Sequence, residues 1–147
     1  MIGILLVTHG RLAEELRAAA LTIQPAIGRI VAVALEWSET GEDARDRIAA
    51  GLAEADQGGG AVILTDMFGG TPTNLTLSFL KKDRVEIVTG VNLSMVLKCA
   101  ALQTSGKSVV EVAHIAKDRG QRSICVASDL LADDAAVGAA VTEGQDP

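Results

Sequence analysis

Ile2-Gly3-Ile4-Leu5-Leu6-Val7-Thr8-His9-Gly10 is the stretch on which the fold turns. From Ile2 to Val7 no polar residue marks a wet face. A strand with one solvated face alternates apolar and polar residues; an unbroken apolar run suits a strand covered on both faces, as in a parallel sheet. Beyond Gly10, Leu12, Leu16, Ala19 or Ala20, and Ile23 recur at helical spacing until Pro25 stops them. Strand, polar Thr-His-Gly, helix is the opening of an α/β chain.

The same alternation continues outward. Arg29–Leu35 reads as a second strand, and Thr40 with Asp43 has capping-box spacing before a stripe of Ala44, Ile48, Leu52 and Ala55. Gly58-Gly59-Gly60 precedes a strand instead of following one, so it reads as a loop and not a phosphate cradle. Ala61–Leu64 is the third strand and ends at Thr65-Asp66. Thr71-Pro72 then predicts a helix start with Thr71 as N-cap and Pro72 at the first helical position. Val85–Val88 is the fourth strand; Asn92 is expected to cap a helix carrying Val96, Leu97, Ala100 and Ala101. Ser108 and Glu111 form a full capping box, and Arg119-Gly120 predicts that helix's end, a cation followed by a glycine just past the last turn. Gln121–Ala127 holds one more strand-like run. From residue 128 the pattern dissolves into Ala, Asp and Gly, so one domain over residues 1–127 and a flexible tail over 128–147 are expected. Four strand–helix repeats argue a three-layer α/β fold with a mostly parallel sheet; the pattern alone leaves strand order open.

Composition excludes several classes. The 147 residues carry a net charge of −6 and only 2% aromatics, which leaves no basic stripe and no base-stacking surface for nucleic acid. The core must be built from Leu, Ile, Val and Ala. Cys99 and Cys125 form no CxxC and read as two buried, reduced thiols of a cytoplasmic protein. Met1–Val7 is too short to span a membrane, and no other run approaches that length. Two histidines and scattered acids give no metal spacing, and neither a P-loop nor a dinucleotide fingerprint is present. No metal or cofactor is expected.

In a parallel sheet every strand ends on the same edge, where open α/β sheets hold their ligands. That brings His9 and Asp66 to one edge. His9 either packs at a strand end or reacts there, where the helix N–H groups beyond Gly10 bind anions. Asp66 either caps a turn or fixes the His9 ring, since a neutral imidazole needs a partner to set its tautomer. Gly69 and Gly70 let backbone N–H groups approach a ligand closely. Thr71 serves as N-cap or as a contact to phosphate oxygens. His114 lies mid-helix without such surroundings and reads as structural or surface.

Taken together, Thr8-His9-Gly10, Thr65-Asp66-Met67-Phe68-Gly69-Gly70-Thr71-Pro72-Thr73-Asn74 and Thr89-Gly90-Val91-Asn92-Leu93-Ser94-Met95 resemble the mannose-family IIA domain of the phosphoenolpyruvate-dependent sugar phosphotransferase system. The resemblance runs from Met1 to about Ala127. It implies a sheet in order 2-1-3-4 with a fifth, antiparallel strand, here Gln121–Ala127, exchanged between the subunits of a homodimer. It implies that His9 accepts a phosphoryl group on Nε2 from the histidine-containing phosphocarrier protein, that Asp66 orients the ring through Nδ1, and that Thr71 contacts the phosphoryl group. Gly10, Gly69 and Gly70 would supply N–H groups to its oxygens. Many family members continue into a IIB domain. This chain stops soon after the fifth strand and is expected to stand alone, passing phosphate to a separate IIB component or serving as a regulatory module that reports phosphorylation state. Two further alternatives are the related subunit serving dihydroxyacetone kinase, which the Gly-Gly-Thr-Pro block disfavours, and a ligand-binding domain with no covalent step.

Overall fold

The computed structural model describes residues 1–67 and 69–132. Four strands, β1 (Gly3–His9), β2 (Ile30–Leu35), β3 (Ala61–Thr65) and β4 (Val85–Thr89), form one sheet in the order β2-β1-β3-β4, with every pairing parallel. The helices are α1 (Leu12–Ile23), α2 (Gly41–Ala55), α3 (Thr71–Thr76), α4 (Leu93–Leu102), α5 (Val109–Arg122) and α6 (Ala127–Ala132). The fold class agrees with the strand–helix alternation of the sequence, and the strand order is the one the family resemblance implies.

The two faces of β1 explain its unbroken apolar run. Ile4 and Leu6 point into a cluster with α1, α4 and α5, built from Ala13, Ala20, Met95, Val96, Cys99, Val112 and Ala116. Leu5 and Val7 point the other way, toward Ala44, Ile48 and Ala55 of α2 and Leu75 and Phe79. The sheet is thus the middle of three layers, and period-2 alternation of the pleat serves both outer layers at once. Burying each such side chain contributes roughly 1.5–3 kcal/mol.

Several helix starts follow the expected chemistry. Thr40 accepts the Asp43 N–H at 3.1 Å, Asn92 accepts the Met95 N–H at 3.0 Å, and Ser108 with Glu111 completes both halves of the capping box. Three expectations are corrected. Thr71 is the first residue of α3, not its cap; Gly70 takes that position with no side-chain bond. Gly120 does not end α5. It is buried inside the helix, where a Cβ would stand 2.6 Å from Met95 Sδ, so it is a contact glycine between α5 and α4. Of the two thiols, Cys99 is buried but Cys125 is exposed.

The expected fifth strand is absent from the single chain. Helix α5 continues through Gln121 and Arg122, and the apolar residues after it, Ile124 and Val126, are 76% and 62% exposed. A strand needs a neighbour's backbone to bond with, and among the described residues this segment joins no strand of the sheet. The first part of the expected tail forms α6; residues 133–147, and Phe68 of the recognised block, lie outside the described residues.

Candidate functional site

The sheet register assembles the site. Val7 pairs with Thr65, and Thr65 with Thr89, so β1, β3 and β4 reach their C-terminal ends side by side. The chain beyond β1 turns at Gly10, whose φ of +52° few side chains tolerate, and enters α1. Buried Thr8 locks that turn: its hydroxyl accepts the Ala13 N–H of the first turn of α1 at 2.7 Å. The residue nominally capping α1, Arg11, makes no side-chain cap.

His9 and Asp66 meet at this edge. One carboxylate oxygen, Asp66 Oδ2, accepts the His9 backbone N–H at 2.9 Å and lies 2.7 Å from His9 Nδ1. The other, Oδ1, accepts the Met67 N–H at 3.0 Å. An ionised carboxylate only accepts, so this geometry assigns the proton to Nδ1 and leaves the Nε2 lone pair outward. The His9 side chain is 23% exposed and that of Asp66 14%. Burial pushes the Asp66 carboxyl up, but the hydrogen bonds from the His9 backbone and ring, the attraction of His9 and the Met67 N–H outweigh it. The carboxyl is held below the ordinary carboxylate value.

The loop after Asp66 closes over the ring. Gly69 has a φ of +79°, and a Cβ on Gly70 would stand 2.9 Å from His9 Cε1. Thr71 follows at the start of α3, exposed, and among the described residues no hydrogen bond engages its hydroxyl. The sequence reading missed what holds this loop. The Thr73 hydroxyl donates to the Met67 carbonyl at 2.7 Å and sits 2.7 Å from the Thr65 hydroxyl, tying the loop to the end of β3. Both threonines stand in the recognised block, but only the folded register shows them adjacent. Also missed was Trp37, on the β2–α2 loop, whose ring stacks on His9 at 5.1 Å between centroids and 26° between planes. Nothing in the local pattern around Trp37 announces a contact with a residue 28 positions away.

His114 is exposed on α5, as the sequence reading had it, and lines a groove of about 580 Å³ along the free edge of β4. Among the described residues, no three His, Cys, Asp or Glu side chains converge so as to hold a metal ion.

The family profile described as the PTS system fructose IIA component, of the EIIA-man group, matches residues 3–117. The chain belongs to this family. The mannose-specific EIIAB component of the PTS system of Escherichia coli K12 is 30% identical over 127 residues, which cover 84% of this chain and 38% of that protein. The chain therefore spans well under half the length of that relative. The fructose-specific EIIA component of Bacillus subtilis is 26% identical over 132 residues, 89% of this chain and 90% of its own length. Among solved structures, a mannose/sorbose-specific IIA subunit from Enterococcus faecalis superposes with a TM-score of 0.76 at 26% identity, covering 85% of this chain and 93% of that one. The chain is thus a PTS IIA component of mannose/fructose type. Among the described residues no helix is long and apolar enough to cross a membrane.

Proposed function

We propose that this IIA component carries a phosphoryl group on His9, taking it from the histidine-containing phosphocarrier protein and passing it to a IIB component in sugar uptake. The observation that carries this reading is the single Asp66 oxygen 2.7 Å from His9 Nδ1, which leaves Nε2 as the nucleophile. The Nε2 lone pair attacks phosphorus, the N–P bond forms, and the bond from phosphorus to the donor's nitrogen breaks with its electron pair. The Nδ1 proton stays in place and the ring becomes cationic beside the Asp66 carboxylate. Phosphoryl transfer needs positioning and charge stabilisation above all. The Gly10 N–H, expected from the sequence to meet the phosphoryl group, is instead spent on the Leu35 carbonyl at 2.8 Å; the N–H groups at Gly69 and Gly70 and the Thr71 hydroxyl are suited to receive the phosphoryl oxygens. No metal or cofactor enters this step, and the work is done in the cytoplasm, where the donor is. If the phosphoryl group instead controls a regulatory target, phosphorylation proceeds equally but transfer to IIB fails.

The same reading includes a homodimer formed by exchange of residues 121–127 from a domain spanning 1–127. Two features support it. Beyond the Lys81–Val85 bridge at its start, β4 pairs with no strand on its outer edge among the described residues, and the groove along it is lined by Leu77, Leu80, Ile87 and Val88. Ile124 and Val126 project into solvent just beyond α5. An extended segment from a second copy would cover both.

The test is incubation with phosphoenolpyruvate, enzyme I and the phosphocarrier protein, followed by intact-mass measurement and then addition of IIB. A gain of one phosphoryl group, lost again to IIB, is the expected result.

A further inference from the structure

Trp37 has no role in the core. It is the only tryptophan of the chain and is 86% exposed. Its one aromatic partner among the described residues is His9. The loop that carries it is also held in place. Arg47 of α2 grips both Glu39 carboxylate oxygens at 2.9 Å, and Glu39 Oε2 accepts the Glu36 N–H at 3.3 Å. The Glu39 N–H returns to the Glu36 carbonyl at 3.2 Å, closing a turn around Trp37 and Ser38. Helix α2 thus fixes where the indole stands.

We propose that Trp37 is a positioning residue for His9, setting the plane of the imidazole and stabilising the charge it gains on phosphorylation. This rests on the phosphoryl-carrier reading above. The Asp66 hydrogen bond fixes the Nδ1 edge of the ring; a stacked indole face restricts its tilt, which an edge contact does not. When the Nε2–P bond forms and the donor's nitrogen leaves with its electron pair, Nδ1 keeps its proton and the ring holds a positive charge. Indole is the strongest aromatic partner for a cation, and at an exposed site such a contact is worth roughly two- to fivefold in the equilibrium or rate that creates the charge. Asp66 and Trp37 then act on different parts of one ring, the carboxylate on its edge and the indole on its face.

The experiment has two arms. Intrinsic fluorescence reads Trp37 alone, and its first comparison needs no phosphoryl donor. Emission should change between the wild type and His9→Ala, and again when the wild type is phosphorylated. Emission identical in all three states overturns the proposal. In the second arm, phosphoryl transfer from the phosphocarrier protein is followed at varied donor concentration. Trp37→Ala should lower kcat two- to fivefold with KM little changed, and Trp37→Phe should recover most of the loss. A rise in KM with kcat intact assigns Trp37 to docking and overturns the proposal, as does a Phe variant as slow as the Ala variant. A wild type that gains no phosphoryl group sinks the carrier reading together with this one; normal phosphorylation with an unaffected Trp37→Ala kcat sinks this one only.

Discussion

Asp66 spends one oxygen on His9 twice, accepting both its backbone N–H and its ring. An amide in its place cannot satisfy every partner. If the Asn oxygen faces His9, its NH₂ confronts the Met67 N–H. If the amide flips, the NH₂ faces His9 and forces the opposite tautomer, with the proton on Nε2. A hydrogen bond to a charged group is worth about 1.5–3 kcal/mol, so Asp66→Asn should slow phosphoryl acceptance roughly ten- to a hundredfold. Stopped-flow transfer from the phosphocarrier protein measures it; an unchanged rate removes Asp66 from the mechanism. The same carboxylate links stability to acid. Its folded value lies below its unfolded one, so its contribution is complete above about pH 4 and is lost as pH falls through the lowered value. Denaturation curves of wild type and Asp66→Asn should therefore converge below about pH 4. The thiols make a second residue-scale contrast. Burial pushes the Cys99 thiol up to about 12, while Cys125 is exposed. A thiol reagent should label one cysteine in the native protein, Cys125, and two after unfolding. Both thiols had read as buried because no periodicity survives after α5 to show which side of Cys125 faces water.

Gly120 shows what an element's own sequence does not tell. Arg119-Gly120 has the chemistry of a helix end, yet α5 runs on to Arg122 because packing against α4 overrides it. The glycine is there for closeness: a side chain would press on Met95 and stand 3.3 Å from Asn92 Nδ2. A glycine ending a helix in the left-handed region tolerates Asn; a contact glycine does not. Gly120→Asn should lower unfolding stability by about 1–3 kcal/mol, the range for overpacking, with thermal or urea denaturation as the check. A neutral effect would restore the end-of-helix reading. Thr71 likewise fails as a cap. Helix α3 begins one residue earlier than its Thr-Pro signal suggests, so Gly70 takes the cap position and Thr71 is an exposed first residue of the helix. The caps at Thr40, Asn92 and Ser108 were legible because cap and partner lie within one turn.

At the scale of the whole molecule, the apolar runs made the sheet legible, and the ends of β1 and β3 located His9 and Asp66 before any coordinates. Contacts between elements were not legible. Trp37 reaches His9 from the β2–α2 loop, and Thr73 reaches Thr65 only through the loop it stabilises. The apolar residues after α5 read as a strand because they have a strand's composition, but within one copy they pair with no edge of the sheet. If a second copy does, the wild type should have dimeric mass at micromolar concentration, and truncation after Arg122 should give a monomer. A monomeric wild type, or a dimer that survives the truncation, would end the exchange proposal.

The central claim is that His9 carries the phosphoryl group, and intact mass after incubation with phosphoenolpyruvate, enzyme I and the phosphocarrier protein tests it most directly. The wild type and His114→Ala should each gain the mass of one phosphoryl group, and His9→Ala should gain none while remaining folded. A folded His9→Ala protein that still gains the group, or a His114→Ala protein that does not, would contradict the account.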